Sequence, residues 1–277
     1  MTEKEYNQTD GIRRSDLWLI HDSPEKFRWA MDNPDDGEPS PALVFGQAAH
    51  KMLLEPFGFF EEFALKPEGI DRRTTEGKAE WAKFLKESDG KAVLSMDEYV
   101  TIRDMTARAA GNPMAAKLLN GRHEVPFFWT DPDTGIGCKV KLDCLTYLDG
   151  METPVVVDYK TAKSAMTRDF QRDVYQFGYH LQAAMYTEGV MRVLGLTERP
   201  LFAFIVQEKQ APYAVNIITV PDDVMNYGLD TFRELLGIYK ACKESGDWYG
   251  YLGFAGQPNE LSLPGWLKKE QEDKANE

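Results

Sequence analysis

The chain has 277 residues, of which 43% are hydrophobic and 28% charged, a composition that fits one large folded domain and excludes wholesale disorder. No apolar run reaches the length that a membrane span needs, and the polar, acidic N-terminus predicts no signal peptide. The three cysteines are too few and too scattered for a disulfide framework or a zinc site, so we expect buried reduced thiols in a cytoplasmic protein.

The formal net charge of −13 argues at first sight against a nucleic-acid partner, because such proteins must neutralise phosphates. The acidic residues are concentrated, however, in segments 32–38 and 61–62 and in the tail from Glu270. Four lysines fall in a different part of the chain: Lys139, Lys141, Lys160 and Lys163. An acidic exterior with a locally basic groove is compatible with DNA.

The first half of the chain is predicted to be helical. Apolar residues mark a helix over residues 15–31, in which Pro24 predicts a break near Ser23. A mostly apolar helix is predicted for residues 42–54. The remaining elements of this half are an acidic loop at 33–41, a charged connection at 66–78, and helices at 77–87, 96–110 and 113–119.

The second half is predicted to contain strands and long helices. Strand patterns at 125–130 and 137–148 flank the turn signal DPDTG, which predicts a hairpin. The run VVV within 154–161 is typical of a strand buried on both faces. The elements that follow are a helix at 170–194, strands at 201–208 and 213–220, and a helix at 222–243.

This order predicts an α/β (α+β) fold, with a helical N-terminal part followed by a mixed central sheet flanked by helices. Strand 154–160, the helix after it and strand 201–208 would form a right-handed crossover unit. We find no internal repeat and expect a single domain over residues 1–265. The charged end of the chain, residues 266–277, is predicted to be a disordered tail.

The segment PVVVDYKTAKS (154–164) carries two charges at the end of an apolar strand. Because side chains alternate along a strand, Asp158 and Lys160 share one face and Tyr159 points to the other. A buried strand does not normally carry both charges unless they have a partner or a task. One interpretation is therefore a structural salt bridge, and the other is a reactive site.

Asp143 favours the reactive site. The pattern GCKVKLDCL (137–145) places it on one face with two lysines, and the other face is apolar: Val140, Leu142 and Cys144. If this strand neighbours 154–160, Asp143 and Asp158 converge, and two close carboxylates repel each other unless a cation joins them. Oxygen ligands suit magnesium or manganese, with the Tyr159 carbonyl as a further ligand. Lys160 beside such a metal would orient the attacking water and balance charge on a phosphate.

Asp143 followed by the triplet DYK (158–160) resembles the PD-(D/E)XK nuclease motif, and more narrowly that of the RecE-type (exodeoxyribonuclease VIII-like) exonucleases, often prophage-borne, and the related lambda-type exonucleases. Three further segments resemble that branch: SDLWLIHDSPEKF (15–27), ALVFGQAAHKMLLEP (42–56) with Gly46 and His50, and LQAAMY (181–186) with Gln182 and Tyr186. The similarity covers about residues 10–220 and implies a restriction-endonuclease-like core.

The resemblance also implies roles for single residues. His50 becomes a metal ligand, although a histidine on an apolar helix is usually a core residue, and Gly46 one turn earlier would let another backbone approach. Gln182 and Tyr186 are implied to lie beside the active site, contacting DNA or supporting the lysine. For Tyr175 and Tyr179, which extend the same helix face, core packing is the preferred interpretation.

Several further residues have weaker assignments. Glu124 matches an acidic position of the superfamily and is either a surface cap or a water-mediated metal contact. A DNA-contacting role is assigned weakly to Arg13, Arg14, Ser15, Lys141 and Lys163. His21, His123 and His180 match no motif position and receive no role.

The resemblance implies a Mg²⁺-dependent exonuclease, with Mn²⁺ able to substitute, that degrades one strand of linear double-stranded DNA. The implied polarity is 5′ to 3′, which leaves 3′ single strands for a RecT-type annealing protein during recombination. Members of this branch form rings around DNA, so we expect a homo-oligomeric ring in the cytoplasm of a bacterial or phage-infected cell, without membrane contact.

Four alternatives stay open at this stage. The same metal chemistry serves a PD-(D/E)XK endonuclease. A Cas4-like or helicase-associated nuclease often carries an iron–sulfur cluster on four cysteines, which three scattered cysteines disfavour, so no such cluster is expected. A catalytically inactive DNA-binding protein of the same fold, or an acidic partner-binding module with a fortuitous motif, would bind without cleaving DNA or not bind DNA at all.

Overall fold

The computed structural model describes residues 1, 3–34, 37, 39–71, 73–251, 258 and 260–275. Three residues of the predicted acidic loop (35, 36 and 38), residue 72 of the predicted charged connection and residues 276–277 of the predicted tail lie outside the described residues. Within the part of the chain that is described, no helix is long and apolar enough to cross a membrane.

Helices precede the main sheet along the chain, as predicted. The helices are α1 (Glu3–Gln8), α2 (Arg14–Asp22), α3 (Pro24–Asp32), α4 (Pro41–Leu54), α5 (Phe59–Glu62), α6 (Thr75–Glu87), α7 (Met96–Ala110), α8 (Pro113–Leu118), α9 (Thr167–Gln176), α10 (Tyr179–Leu194), α11 (Asp222–Ser245) and α12 (Gly265–Ala275). The strands are β1 (Phe63–Leu65), β2 (Ala92–Leu94), β3 (Arg122–Thr130), β4 (Gly137–Thr146), β5 (Val155–Ala162), β6 (Leu201–Glu208) and β7 (Val215–Thr219).

Five strands form a central sheet in the order β3-β4-β5-β6-β7, and β1 and β2 pair in a small parallel sheet. Within the central sheet β5 and β6 are parallel, and the other neighbours are antiparallel. Parallel neighbours need a crossover connection, which α9 and α10 supply here. The mixed α/β fold with a helix-flanked sheet is therefore confirmed.

Two apolar cores lie on the two faces of the sheet. On one face α10 and α11 pack against residues such as Val156 and Phe204, and on the other α4 and α7 pack against residues such as Val155 and Val157. Each buried apolar side chain of this size stabilises the fold by about 1.5–3 kcal/mol. Strand β5 is thus buried on both sides, as its VVV run predicts. The three cysteines are buried free thiols, also as predicted.

Local capping explains where several helices begin. Ser23 separates α2 from α3, and its hydroxyl accepts a hydrogen bond from the Lys26 N–H while Pro24 occupies the first turn. At α7, Ser95 and Glu98 form a reciprocal capping box. The break near Ser23 is therefore both predicted and explained by short-range chemistry.

The single long helix predicted at 170–194 is wrong. The structure has two helices, α9 and α10, separated at Gly178, which has a φ of +68°. A Cβ at Gly178 would lie 2.5 Å from the Trp18 ring, so only glycine fits this approach. The helical pattern continues across the break, and an isolated glycine is tolerated inside many helices, so periodicity did not reveal it.

The C-terminal segment also differs from the prediction of a disordered tail, because residues 266–275 belong to helix α12. Lysine and glutamate have good intrinsic helix propensity, so a charged composition does not prevent a helix. Four short elements, α1, α5, β1 and β2, were not predicted. The expectation of a single domain over residues 1–265 stays a prediction.

Candidate active site

Strands β4 and β5 separate at the two predicted acidic residues. Their ladder covers Cys144–Thr146 and Val155–Val157 and ends where Cys144 faces Val157. One step further, Asp143 would pair with Asp158, but the Tyr159 N–H instead donates to Asp143 Oδ2 at 2.8 Å. The separation therefore places both aspartates at a gap in the sheet, and a side chain replaces the missing backbone partner.

The alternation of side chains in β4 breaks at the same residue. Leu142 packs in the core on the α10 side, whereas Cys144 packs in the opposite core, with its thiol 3.4 Å from the Leu118 carbonyl. The predicted common face of Val140, Leu142 and Cys144 is therefore wrong. Glu124, opposite Asp143 in the β3–β4 register, has a φ of +50°, so both strands are distorted at this point.

His50 lies on α4 against the same gap. Its Nδ1 is 3.5 Å from Asp143 Oδ2, and its ring lies 5.0 Å from the Tyr159 ring. Although 29% of the side chain is exposed, burial and then the Lys160 charge lower the pKa of His50 to about 4, against an opposing hydrogen bond to the Tyr159 backbone. The ring is therefore neutral at pH 7, the form that binds metals.

Gly46, one turn before His50, faces Thr161. A Cβ at Gly46 would lie 3.9 Å from Thr161 Oγ1, an ordinary van der Waals contact. The close backbone approach predicted from the glycine is not found, so the structure gives no steric reason for a glycine here.

Asp158 and Lys160 form the predicted salt bridge on β5. Asp158 is 1% exposed, and Lys160 Nζ lies 2.6 Å from its Oδ2. Gln182 donates a hydrogen bond to Oδ1. Oδ2 receives no hydrogen bond from any described residue apart from this ion pair. The salt bridge thus exists, and Lys160 is the partner of that buried carboxylate oxygen among the described residues.

The ammonium group of Lys160 lies against the ring of Tyr179, which also packs against the apolar core as predicted. Its Nζ is 4.9 Å from the centre of the Tyr179 ring, and the Arg14 guanidinium lies 6.0 Å from the same ring. Arg14 also donates to the Phe177 carbonyl at 3.0 Å and lies 3.5 Å from Gln182 Oε1. The sequence signal for Tyr179 was its position three residues before Gln182, one helical turn away.

Tyr186 lies near both aspartates. Burial raises the pKa of its hydroxyl, and the negative charges of Asp158 and Asp143 raise it further. The hydroxyl is therefore a neutral donor at every physiological pH. The structure accordingly brings Gln182 and Tyr186, which sit one turn apart on α10, to the same acidic site.

The weaker assignments lie at the edge of the site or serve the fold. Glu124 pairs with Lys141 at 2.7 Å. Arg13 binds Asp16 in the cap of α2, whereas Ser15 and Lys163 are exposed. Lys139 is not part of a basic groove: it is 4% exposed, and its Nζ donates to backbone carbonyls of the N-terminal segment, those of Tyr6, Asn7 and Thr9.

Sequence reasoning missed Gln207, which is fully buried in β6. The Tyr159 hydroxyl donates to its Oε1 at 2.7 Å, and its Nε2 donates to the carbonyls of Met105 at 2.8 Å and Tyr213 at 3.3 Å. This network fixes the side chain of Tyr159 behind the site. The signal in the sequence was a glutamine that directly follows the apolar run FAFIV (202–206).

The charges of the site favour a bound cation. Burial and then the Asp158 carboxylate hold the pKa of Asp143 well above its usual range, and a nearby cation relieves such repulsion. Among the described residues no group of three or more histidine, cysteine or acidic side chains is arranged so that it could hold a metal ion by itself. Asp158 Oδ2 receives no hydrogen bond from the described residues. This oxygen, the Asp143 carboxylate and the Tyr159 carbonyl nevertheless fit a hard divalent ion whose remaining ligands come from outside the protein.

The chain is similar to proteins of one family and one fold. The model of the family described as "PDDEXK-like domain of unknown function (DUF3799)" matches residues 15–256. The crystal structure of a "putative exonuclease" from Eubacterium rectale superposes with a TM-score of 0.62 at 17% identity, covering 98% of this chain and 97% of that chain. The structure of SSO0001 gives a TM-score of only 0.34 at 12% identity, over 85% and 81% of the two chains. No curated protein sequence matches.

Proposed function

Because the chain belongs to the PDDEXK-like domain family DUF3799, we propose that it is a Mg²⁺-dependent nuclease that degrades one strand of linear double-stranded DNA. The observation that carries the proposal is the incomplete acidic site at the gap between β4 and β5. There Asp158 keeps one buried oxygen that receives no hydrogen bond from a described residue, beside a second carboxylate, Asp143, and beside the ammonium of Lys160. PDDEXK nucleases generally use divalent metal ions.

The donors that would hold Mg²⁺, or Mn²⁺ in its place, are the Asp143 and Asp158 carboxylates, the Tyr159 carbonyl and the neutral His50 ring. The ion supplies an acidified water and screens the phosphate charge when it is bound. Gln182 holds Asp158 Oδ1, so the other oxygen remains directed at the site.

Lys160 is placed to act on the attacking water and on the phosphate. Its ammonium group is only slightly exposed and lies between the Asp158 carboxylate and the Tyr179 ring, two groups that attract a cation. A fixed cation at this place orients the attacking water and offsets the negative charge that develops on the phosphate. The Arg14 guanidinium and the neutral Tyr186 hydroxyl are the nearby groups suited to donate hydrogen bonds to phosphate oxygens.

The finer parts of the proposal rest on the resemblance to RecE-type and lambda-type exonucleases. They are exonuclease action, 5′ to 3′ polarity, a homo-oligomeric ring and a RecT-type annealing partner in a phage or prophage recombination system. A ring would also explain how a chain with a net charge of −13 keeps hold of DNA, because enclosure replaces electrostatic grip.

The test uses a linear duplex labelled at one 5′ end at a time and a covalently closed circle, each with Mg²⁺ or with EDTA. We expect Mg²⁺-dependent release of 5′ label as mononucleotides and an intact circle. Asp158→Ala should be inactive, and Asp149→Ala, which removes an exposed aspartate elsewhere, should cleave like the wild type.

Other outcomes are equally informative. Cutting of the circle would replace the exonuclease by an endonuclease on the same site. Progressive shortening of the strand with its 5′ label retained until last would reverse the polarity. No cleavage with either Mg²⁺ or Mn²⁺ would overturn the nuclease proposal and leave a DNA-binding protein of the same fold.

A further inference from the structure

A cavity of about 330 Å³ lies between α2, the junction of α9 and α10, and α11. Its wall is aromatic: Trp18, His21, Tyr175, His180 and Tyr227. The rings contact one another, with Trp18 stacked on His21 at 4.3 Å and Tyr227 5.0 Å from His180. A cavity of this size and lining is suited to a flat ring of a ligand.

Three polar groups of the cavity can act as hydrogen-bond acceptors: His180, Thr231 and Glu234. His180 is 3% exposed, and its Nδ1 lies 3.1 Å from the Val174 carbonyl, so Nδ1 carries the hydrogen and Nε2 is an acceptor. Burial lowers the pKa of His180, which keeps the ring neutral. Thr231 donates its hydroxyl hydrogen to the Tyr227 carbonyl at 2.9 Å, and Glu234 contributes a carboxylate. These three acceptors suit a ligand with an N–H donor, and the Glu234 carboxylate disfavours a phosphate.

The cavity adjoins the active site. Arg14, which lies 3.5 Å from Gln182, begins α2, and Trp18 follows one turn later, about 6 Å along the helix axis. The Trp18 ring packs on the backbone of Gly178, where α10 begins. A DNA strand held at Lys160 that continues past Arg14 would thus meet the aromatic wall within one or two nucleotides.

We propose that this cavity binds one unpaired base of the DNA strand, and that it prefers a base with an exocyclic amino group (adenine, cytosine or guanine) to thymine. The inference rests on the proposed nuclease function, and it names a second contact for the same substrate. Stacking on aromatic rings holds a base whatever its sequence, whereas the acceptors His180, Thr231 and Glu234 match an amino group.

The first experiment measures binding without turnover. Oligonucleotide duplexes with a single-stranded end carry 2-aminopurine at successive positions, and EDTA prevents cleavage. We expect quenching of its fluorescence at one position on addition of protein. Tyr227→Ala should abolish that quenching and weaken binding about fivefold or more. Tyr147→Ala removes a comparably exposed tyrosine outside the cavity and should bind like the wild type.

The second experiment compares adenine with purine, which lacks the amino group, at the quenched position. We expect the wild type to bind the adenine oligonucleotide several-fold more tightly than the purine one. Thr231→Val, which keeps the shape of the side chain, should reduce this difference in affinity. Thermal melting of each variant shows that the fold is kept. Equal affinity for adenine and purine would overturn the preference.

The two proposals fail in different ways. Quenching at no position, or quenching that survives Tyr227→Ala, removes the base site, even if the wild type cleaves DNA with Mg²⁺. Quenching that depends on Tyr227 in a protein that never cleaves DNA overturns the nuclease and keeps the base site.

Discussion

Strand β5 carries a buried polar side chain on each face, and the two faces differ in how completely these groups are satisfied. On the α7 side, the Tyr159 hydroxyl donates to Gln207, and the Gln207 amide donates to two backbone carbonyls. On the α10 side, Asp158 Oδ1 accepts from Gln182, whereas Oδ2 has the Lys160 ion pair but no hydrogen bond from a described residue. A satisfied network supports the fold, whereas an unsatisfied one indicates a place that a ligand completes.

Burial alone does not make this difference. The Asp131 side chain is fully buried, yet its carboxylate accepts hydrogen bonds from the Thr134 N–H at 2.9 Å and hydroxyl at 2.8 Å and pairs with Arg233. Burial raises the pKa of Asp131, but the hydrogen bonds from Thr134 and Arg233 outweigh it and hold the pKa below its usual range. Asp131 is thus a compensated carboxylate, and Asp143, whose pKa is raised, is an uncompensated one.

The largest effect is expected from Lys160→Ala, which should lower kcat by on the order of a hundredfold or more, because a fixed charge beside the phosphate is lost. Initial rates at saturating DNA measure it, with Lys117→Ala, an exposed lysine on α8, as the matched control. The variant also leaves Asp158 buried without its cation, so its metal-free Tm should fall and Mg²⁺ should restore part of it. A wild-type kcat would remove Lys160 from the mechanism.

Asp143→Asn should separate metal binding from stability. Loss of one carboxylate should weaken Mn²⁺ binding by on the order of tenfold or more, as isothermal titration calorimetry measures. The metal-free Tm should stay the same or rise, because the repulsion between Asp143 and Asp158 is removed. Asp149→Asn is the control. Unchanged Mn²⁺ affinity would show that Asp143 is not a ligand.

Gln207→Leu should mainly lower the stability of the fold, whereas Asp143→Asn should mainly weaken metal binding. It leaves the buried Tyr159 hydroxyl unsatisfied and should lower the free energy of unfolding by about 1–3 kcal/mol, with a loss of kcat far smaller than that of Lys160→Ala. Adding Tyr159→Phe removes both partners, so the double variant should lose less than the sum of the single changes. Additive losses in urea unfolding would contradict a closed network.

The smallest expected effect is the pH dependence of Tm that Asp131 contributes. Because the folded pKa of Asp131 lies below the unfolded value of about 3.9, its pairing stabilises the protein above that value, and the stabilisation is lost as the pH falls through the folded pKa. Asp131→Asn should therefore lower Tm at pH 7 and converge on the wild type in acid. A Tm difference that is constant from pH 7 to pH 3 would contradict this assignment.

Short-range patterns were reliable where the interactions themselves are short-range. The capping chemistry at Ser23 and the VVV run of β5 were sufficient to place those elements. Strict alternation failed at Cys144, because β4 leaves β5 at that point and changes the face of its side chains. Periodicity failed at Gly178, because the break in the helix makes room for Trp18, which is far away in sequence.

The sequence by itself determined most of the long elements, the burial of β5 on both faces and the shared face of Asp158 and Lys160, since these follow from the period of each element. Only the tertiary structure decided that Asp143 and His50 meet at a strand gap, that Tyr179 lies against Lys160, and that four helices enclose an aromatic cavity. The reason is that each of these contacts joins residues from different elements, and their separation depends on packing that no local pattern encodes.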